Sequence, residues 1–348
     1  MSPRASGRAA EAGAGALDGR QLQPAKHQVA GHLRENGKAG SLVDVQRGTW
    51  YKPLQEGQRG ERELAFYRRL FNREATTGQP RRQDCEQTEQ GPQEGAGEGA
   101  SVRAGDVVRG RSSSGVSGSA ASGHPVLAHF VPKFFGCDLV SGRPYLRLED
   151  VTRGYRKPSI ADIKVGFRTW YAQADDAYIQ KCQRKDRATT SAALGFKVCG
   201  MQVFDEESGS YFKASKNWCK VSLTPASVGE ALKRFASNGL GLNAESVYGG
   251  PQGALAQLQE LESWFRQQTE FHFYSSSVLL IYEGQAKSPE EARVQVKLID
   301  FAHTHQDMGE QDNNFLSGLQ SLREAMSAHV ECSPEPDAEA PATPADSL

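Results

Sequence analysis

Between about Gln83 and Gly123 this sequence loses almost every bulky apolar side chain, running through EQTEQGPQEGAGEGA and then RSSSGVSGSAASG. Such a stretch cannot bury enough apolar surface to offset the entropy of ordering it. It lies between two segments that carry ordinary folding signals, so it reads as a disordered insertion within a domain. A loop this long inside a compact fold needs that explanation. The segments on either side must therefore meet across it. The ends read alike: residues 1–24 as a disordered Ala/Gly-rich tail, and 329–348 as an acidic, Pro-rich tail. These dilutions are local, which is why hydrophobic residues reach only 38% of 348 while other stretches look like core.

In the remaining text, His27 to Val45 and Thr49 to Lys52 read as short strands joined by Gly-containing turns. Glu61 to Phe71 reads as a helix, with Leu64, Tyr67, Leu70 and Phe71 on one face. Strands are expected over Pro144–Glu149, Ser159–Val165, Phe196–Phe204, Val278–Tyr282 and Val294–Phe301. Helices are expected from Asp175, over Ala254–Gln268 and over Asn314–Met326. Gly31 to Lys38 (GHLRENGK) looks like a phosphate-binding glycine loop, but has one residue too many and Ala39 where Ser or Thr is needed. A turn is the better reading.

Net charge is −1, so bulk electrostatics favours neither nucleic acid nor an anionic membrane, and no nucleic-acid contact is expected. An anionic ligand would need a local basic site. The six cysteines (Cys85, Cys137, Cys182, Cys199, Cys219 and Cys332) show no CxxC pair and no metal-ligand spacing, as expected of thiols in a reducing compartment. The first residues lack a signal-peptide core, and no transmembrane-length apolar run occurs. A soluble protein of the nucleus and/or cytoplasm, and a monomer, is expected.

Two constellations carry chemistry. Leu298-Ile-Asp300-Phe-Ala-His303-Thr304 ends an apolar strand in a carboxylate, which can be a turn former or can hold Mg²⁺ against nucleotide phosphates. In Lys157-Pro158-Ser-Ile-Ala-Asp162-Ile-Lys164-Val-Gly166, period-two alternation puts Asp162 and Lys164 on one strand face, roughly 6.5–7 Å apart. A hydroxyl-facing acid beside a phosphate-holding cation is what phosphoryl transfer requires; an ordinary ion pair on a solvated face is the bland alternative. Between Lys164 and Gly195 lie Arg168, Lys181, Arg184, Lys185 and Arg187, with Lys181 and Lys185 four apart on one helix face.

The pattern Pro158-x-x-x-Asp162-x-Lys164-x-Gly166 resembles the PxxxDxKxG signature of the inositol polyphosphate kinase family. Ser276-Ser277-Val278-Leu279 resembles that family's SSL motif, with Val for the usual Leu, and Asp300-Phe-Ala-His-Thr304 matches its terminal Asp-Phe-Ala motif. The resemblance covers roughly His27–Glu74 and Pro125–Met326, and HQVAGH, YKPLQ, KPSIADIKVGFRTWY, YIQKC and SVYGG are most similar to plant-type multikinases. The insertion has no counterpart in the family's basic pattern.

The resemblance implies an α+β, two-lobed, protein-kinase-like fold. An N-lobe with an antiparallel sheet would span 25–151 and a larger mixed C-lobe 152–328, with a helical inositol-binding segment at about 172–190. It implies ATP and Mg²⁺ as cofactors and inositol phosphates as substrates. Lys52 would contact ATP phosphates, held by Glu63, and Glu149, Asp150 and Val151 would form the adenine hinge. Asp162 would approach the acceptor hydroxyl or bind the ribose. Lys164 would bridge substrate phosphate and the transferring group, Asp300 would ligate the metal with Ser277 close by, and His303 would face the inositol. Lys181 and Lys185 would clamp ring phosphates, with Arg59 and Lys216 as further contacts. The implied reaction converts inositol 1,4,5-trisphosphate through tetrakisphosphates to a pentakisphosphate, at the 6- and 3-hydroxyls. The rivals are an inositol hexakisphosphate kinase and a catalytically weak scaffold of the same fold.

Overall fold

The computed structural model describes residues 21–30, 39–71 and 124–331. The glycine-loop lookalike at 31–38, the insertion at 83–123, most of both tails, Cys85 and Cys332 lie outside the described residues. In chain order the first lobe contains β1 (Leu22–Pro24), β2 (Leu42–Asp44), β3 (Thr49–Pro53), α1 (Gln58–Phe71), α2 (Pro125–Phe130), β4 (Phe134–Val140) and β5 (Arg143–Glu149). Its sheet runs β1-β2-β3-β5-β4, every pairing antiparallel.

Two expectations are corrected here. Leu22–Pro24 was assigned to the tail, yet it pairs with β2 and buries Leu22 against Tyr51, Val140 and Tyr145. One leucine between glutamines has no period to read. The segment after it, from His27 to Ala30, carries no strand. The helix α1 begins before Glu61, and its buried stripe is Glu63, Phe66, Tyr67 and Leu70. Phe66 stacks on Phe301 with ring centroids 4.1 Å apart.

The second lobe contains β6 (Pro158–Val165), α3 (Asp176–Arg187), α4 (Ser191–Leu194), β7 (Phe196–Asp205), β8 (Ser210–Ala214), α5 (Lys216–Ser222), α6 (Val228–Phe235), α7 (Ala244–Tyr248) and α8 (Ala254–Phe265). It continues with β9 (His272–Phe273), β10 (Ser277–Glu283), α9 (Pro289–Ala292), β11 (Gln295–Ile299), β12 (Thr304–His305) and α10 (Asn313–Glu331). Its main sheet is β11-β10-β6-β7-β8, again antiparallel throughout, so the mixing in this lobe is of helix with sheet. The helix α10 extends into the first residues of the expected acidic tail.

Strand β6 is central, and period-two alternation divides it. Ala161, Ile163 and Val165 enter the main core, while Ile160, Asp162 and Lys164 face the other way. The crossing between lobes is fastened at both ends. Asp150 N–H donates to the Gly48 carbonyl at 3.0 Å. At the far end the Glu283 carboxylate accepts from Arg156 N–H at 2.7 Å and Lys157 N–H at 2.9 Å.

The loop after β6 is held from behind by α10. Gly166 N–H donates to the Gly195 carbonyl at 2.7 Å, and Gly318 of α10 lies directly against both. A Cβ at Gly318 would stand 2.5 Å from that carbonyl oxygen and 2.6 Å from Gly166 N. Backbone cannot yield as a flexible side chain can. Gly318→Ala should therefore destabilise the protein by about 1–3 kcal/mol despite better helix propensity. Differential scanning calorimetry should show a melting temperature lower by about 2–6 °C.

Candidate active site

The lobes meet at a lysine held by two carboxylates. Lys52 Nζ lies 2.6 Å from Glu63 Oε1 and 2.6 Å from Asp300 Oδ1. Strand β3 presents the lysine, α1 the glutamate, and the turn after β11 the aspartate. Burial alone would drive the Lys52 ammonium down, but Asp300 and Glu63 hold it well above the usual lysine range. Glu63 Oε1 also accepts from Phe301 N–H at 3.1 Å, which fixes the backbone next to Asp300. Asp300 has φ +67°, a left-handed conformation that aspartate tolerates better than most residues. Its carbonyl accepts from Ser276 Oγ at 2.8 Å.

Asp162 lies on β6, across β10 from β11, and is 5% exposed. Burial pushes its carboxyl up, the nearby Asp300 charge adds to this, and the value reaches about 6 against the opposing pull of Lys164. Asp162 Oδ1 is buried without a hydrogen-bond partner, and the Ser277 hydroxyl lies against the Asp162 carboxylate. An unsatisfied carboxylate oxygen near the Asp300 carboxylate suits a divalent cation or a ligand hydroxyl. Among the described residues no group of three His, Cys, Asp or Glu could hold a metal ion. Lys164 is register partner to Ser277 on one side and Lys197 on the other, and its Nζ donates to the Ser275 carbonyl.

A cleft of about 930 Å³, its open mouth included, runs between the lobes beside these groups. Trp50, Lys52, Tyr67, Leu148, Glu149, Val151, Ile160, Asp162, Leu279 and Asp300 are among its lining residues. Of the expected hinge, Glu149 N–H is engaged by Lys133 and Asp150 N–H by Gly48. Asp150 Oδ1 accepts from Thr152. Val151, the third of the trio, lines the cleft. The segment His27–Ala30 closes another wall. His27 Nδ1 is 3.1 Å from Gln202 Nε2, and Gly200 lets the Val29 carbonyl approach where any Cβ would collide.

Helix α3 is capped by Asp175, whose side chain accepts from Tyr178 N–H at 2.8 Å. Tyr178 faces inward, and Asp186 is bonded to Thr169. His303 stacks beside Tyr178 at 5.9 Å. Burial, with the charges of Arg59, Lys164 and Arg62, lowers His303 to about 4, leaving it neutral. The charges of Arg59 and Lys164 thus both act on His303. Lys181 and Lys185 are exposed on α3, and Lys185 acts electrostatically on Lys197. Lys216 opens α5 beyond the edge strand β8, two strands from Asp162, and is exposed.

Sequence reasoning missed Lys197. Burial lowers its ammonium, and Lys164 and Lys185 lower it further. A cation disfavoured by its surroundings is stabilised by a phosphate. The alternation along FKVCG contained the signal, but only the β6–β7 register identifies its neighbour. Tyr171, Tyr178 and Arg62 were missed too.

The comparisons follow from this geometry. A family model described as inositol polyphosphate kinase matches residues 145–327. An inositol polyphosphate multikinase of Oryza sativa subsp. indica is 37% identical over 319 residues, covering 86% of this chain and 92% of its own.

The chain belongs to the inositol polyphosphate kinase family.

Its similarity extends to the multikinase beta of Arabidopsis thaliana, 36% identical over 86% of this chain and 91% of that one. A solved inositol phosphate multikinase shares 38% identity over 60% of this chain and 94% of its own, with TM-score 0.54. The fold alone is shared with a Saccharomyces cerevisiae multikinase solved with ADP and Mn²⁺, at 24% identity, 58% and 89% coverage and TM-score 0.50. The α+β two-lobed kinase architecture is thus that of its family, and the protein is a kinase. Among the described residues no helix is long and apolar enough to cross a membrane.

Asp162 gives this inositol polyphosphate kinase a cost in stability with a definite sign. Its folded-state value of about 6 stands above the ordinary 3.8, so its stabilising effect is full below the lower value and lost as pH rises through the upper. Asp162→Asn should stabilise the protein at pH 7.5 by an amount on the order of 1–3 kcal/mol. Thermal melts from pH 3.5 to 7.5 should show that gain vanish at the acid end.

Proposed function

We propose that this protein transfers the γ-phosphoryl group of ATP to hydroxyls of inositol 1,4,5-trisphosphate and of tetrakisphosphates, at the 6- and 3-positions, ending at a pentakisphosphate. The observation that carries the reading is the junction of Lys52, Glu63 and Asp300 with Asp162 and Lys164 of β6. The similarity to plant multikinases supports the choice of substrate class.

In this reading the nucleotide occupies the cleft, with Val151 and Glu149 at its base end and Lys52 on its phosphates. Asp300, with Ser277 beside it, holds Mg²⁺, whose contribution is to neutralise charge on the phosphates. The ADP and Mn²⁺ held by the S. cerevisiae relative are a precedent for that pairing in this fold. Lys164 spans the acceptor phosphate and the transferring group, and Lys197, Lys185, Lys181 and Arg59 supply further positive charge. Neutral His303 can accept or donate a hydrogen bond to an inositol hydroxyl. Asp162 accepts a hydroxyl hydrogen at the floor of the site. A fall in kcat for Asp162→Asn with steady ATP KM assigns that hydroxyl to the acceptor; a raised ATP KM assigns it to the ribose.

The direct test supplies Mg-ATP with a panel of inositol phosphates and resolves product isomers by ion-exchange chromatography. Ordered appearance of tetrakis- and pentakisphosphate is expected; pyrophosphates from hexakisphosphate would favour the other branch of the family. Asp300→Asn should lower kcat at least about a hundredfold. Lys185→Ala and Lys197→Ala should each lower kcat/KM for the inositol phosphate about ten- to a hundredfold with little change in ATP KM, since each removes a charge-assisted bond. Steady-state kinetics with each substrate varied in turn separates these outcomes. Equal loss toward both substrates would remove the lysines from the acceptor side.

A further inference from the structure

Helix α1 uses two adjacent residues for two sides of the site. Glu63 holds Lys52 and the Phe301 backbone, on the nucleotide side. Arg62, one residue earlier, reaches into the acceptor side. Its Nη1 donates to Tyr171 Oη at 3.0 Å, and its guanidinium carbon lies 5.0 Å from the Tyr171 ring centre.

Tyr171 is the hub of an aromatic wall. Its ring centre is 4.3 Å from that of His305, 6.3 Å from His303, 5.9 Å from Tyr274 and 6.1 Å from Tyr178. Tyr178 belongs to the first turn of α3, so the same ring touches the helix that covers the acceptor. His303 Nδ1 and His305 Nε2 are buried without hydrogen-bond partners. The wall therefore presents polar atoms whose orientation depends on where Tyr171 stands. Arg62 anchors Tyr171 to the helix that also aligns Lys52.

We propose that Arg62 is a positioning residue which, through Tyr171, couples the two halves of the cleft, so that bound nucleotide tightens binding of the phosphorylated acceptor. The physical route is short. A nucleotide engaging Lys52 and Asp300 fixes Glu63 and hence α1. A fixed α1 immobilises Arg62 and the Tyr171 ring, so the acceptor meets a wall already ordered. Reciprocity requires that the acceptor tighten nucleotide binding by the same factor. The inference rests on the acceptor assignment made above.

The experiment titrates the full-length protein with inositol 1,4,5-trisphosphate by isothermal calorimetry, with and without saturating Mg-ADP. The wild-type protein should bind the trisphosphate about five- to tenfold more tightly when Mg-ADP is present, at the lower end of ordinary coupling between two sites. Tyr171→Phe deletes one oxygen and keeps the ring; Arg62→Met keeps length and removes the guanidinium. Each should bring the ratio below about twofold, and the double variant should lose no more than either single one. Mg-ADP affinity of the acceptor-free protein should stay within about twofold. A purely packing role would leave the ratio intact in Tyr171→Phe, and that result overturns the inference. So does an absence of coupling in the wild type. If Arg62→Met does not fold, Tyr171→Phe alone decides the question. A wild-type protein that neither binds nor phosphorylates the trisphosphate would remove both this inference and the acceptor assignment. Normal turnover without coupling would remove this inference alone.

Discussion

A buried ammonium between two carboxylates, each at 2.6 Å, is the interaction on which the two lobes depend. Its three members come from β3, α1 and the end of β11, so the triad exists only when both lobes are folded and docked. Desolvating charges is expensive, and such a group persists when hydrogen bonds and opposite charge offset the loss. Here Glu63 spends the same oxygen on Lys52 and on Phe301 N–H, and Phe301 stacks on Phe66 of the helix that carries Glu63. Polar and apolar contacts thus fix the same short segment, the one that ends in Asp300.

The second determinant is the register of the C-lobe sheet. The pairing of β6 with β10 sets Lys164 opposite Ser277 and Asp162 opposite Leu279, and the pairing with β7 adds Lys197 across an irregularity after Asp162. A slip of one residue would exchange these faces and bury Lys164 in the main core. The apolar alternates Ala161, Ile163 and Val165 prevent that slip. Packing on one face of β6 thereby specifies chemistry on the other.

Much of this was legible in the text. Asp162, Lys164 and Asp300 stand in short linear patterns on strands whose period is visible, and Lys52 and Glu63 follow one another along a strand and a helix. Strands β5, β6, β7, β10 and β11 were readable for the same reason, with boundaries shifted by a residue or two, whereas β4 and β8 were not. Lys197, Arg62 and Tyr171 were not readable as site residues, because each gains its meaning from a partner far along the chain or across a strand pair. Phe66 was passed over because its stripe includes Glu63, a residue type not expected inside. Leu22 offered one apolar residue and no period. Binary patterning reports which residues are covered; it does not report which distant residue covers them.

The fastening of the interlobe crossing has a mechanical consequence. Asp150 is tied to Gly48 and Arg156 and Lys157 are tied to Glu283, which leaves the stretch 151–155 between them. That stretch is itself folded into consecutive turns, Arg153 N–H to the Asp150 carbonyl and Tyr155 N–H to the Thr152 carbonyl, with Gly154 at φ +93°. The stretch is also braced sideways: the Arg153 guanidinium donates to the Gln46 and Arg47 carbonyls of the first lobe, while Tyr155 Oη donates to the Arg293 carbonyl and Arg293 to the Gly154 carbonyl in the second. The link between the lobes is therefore a braced strap and not a loose tether, and it lies beside the Val151 end of the cleft.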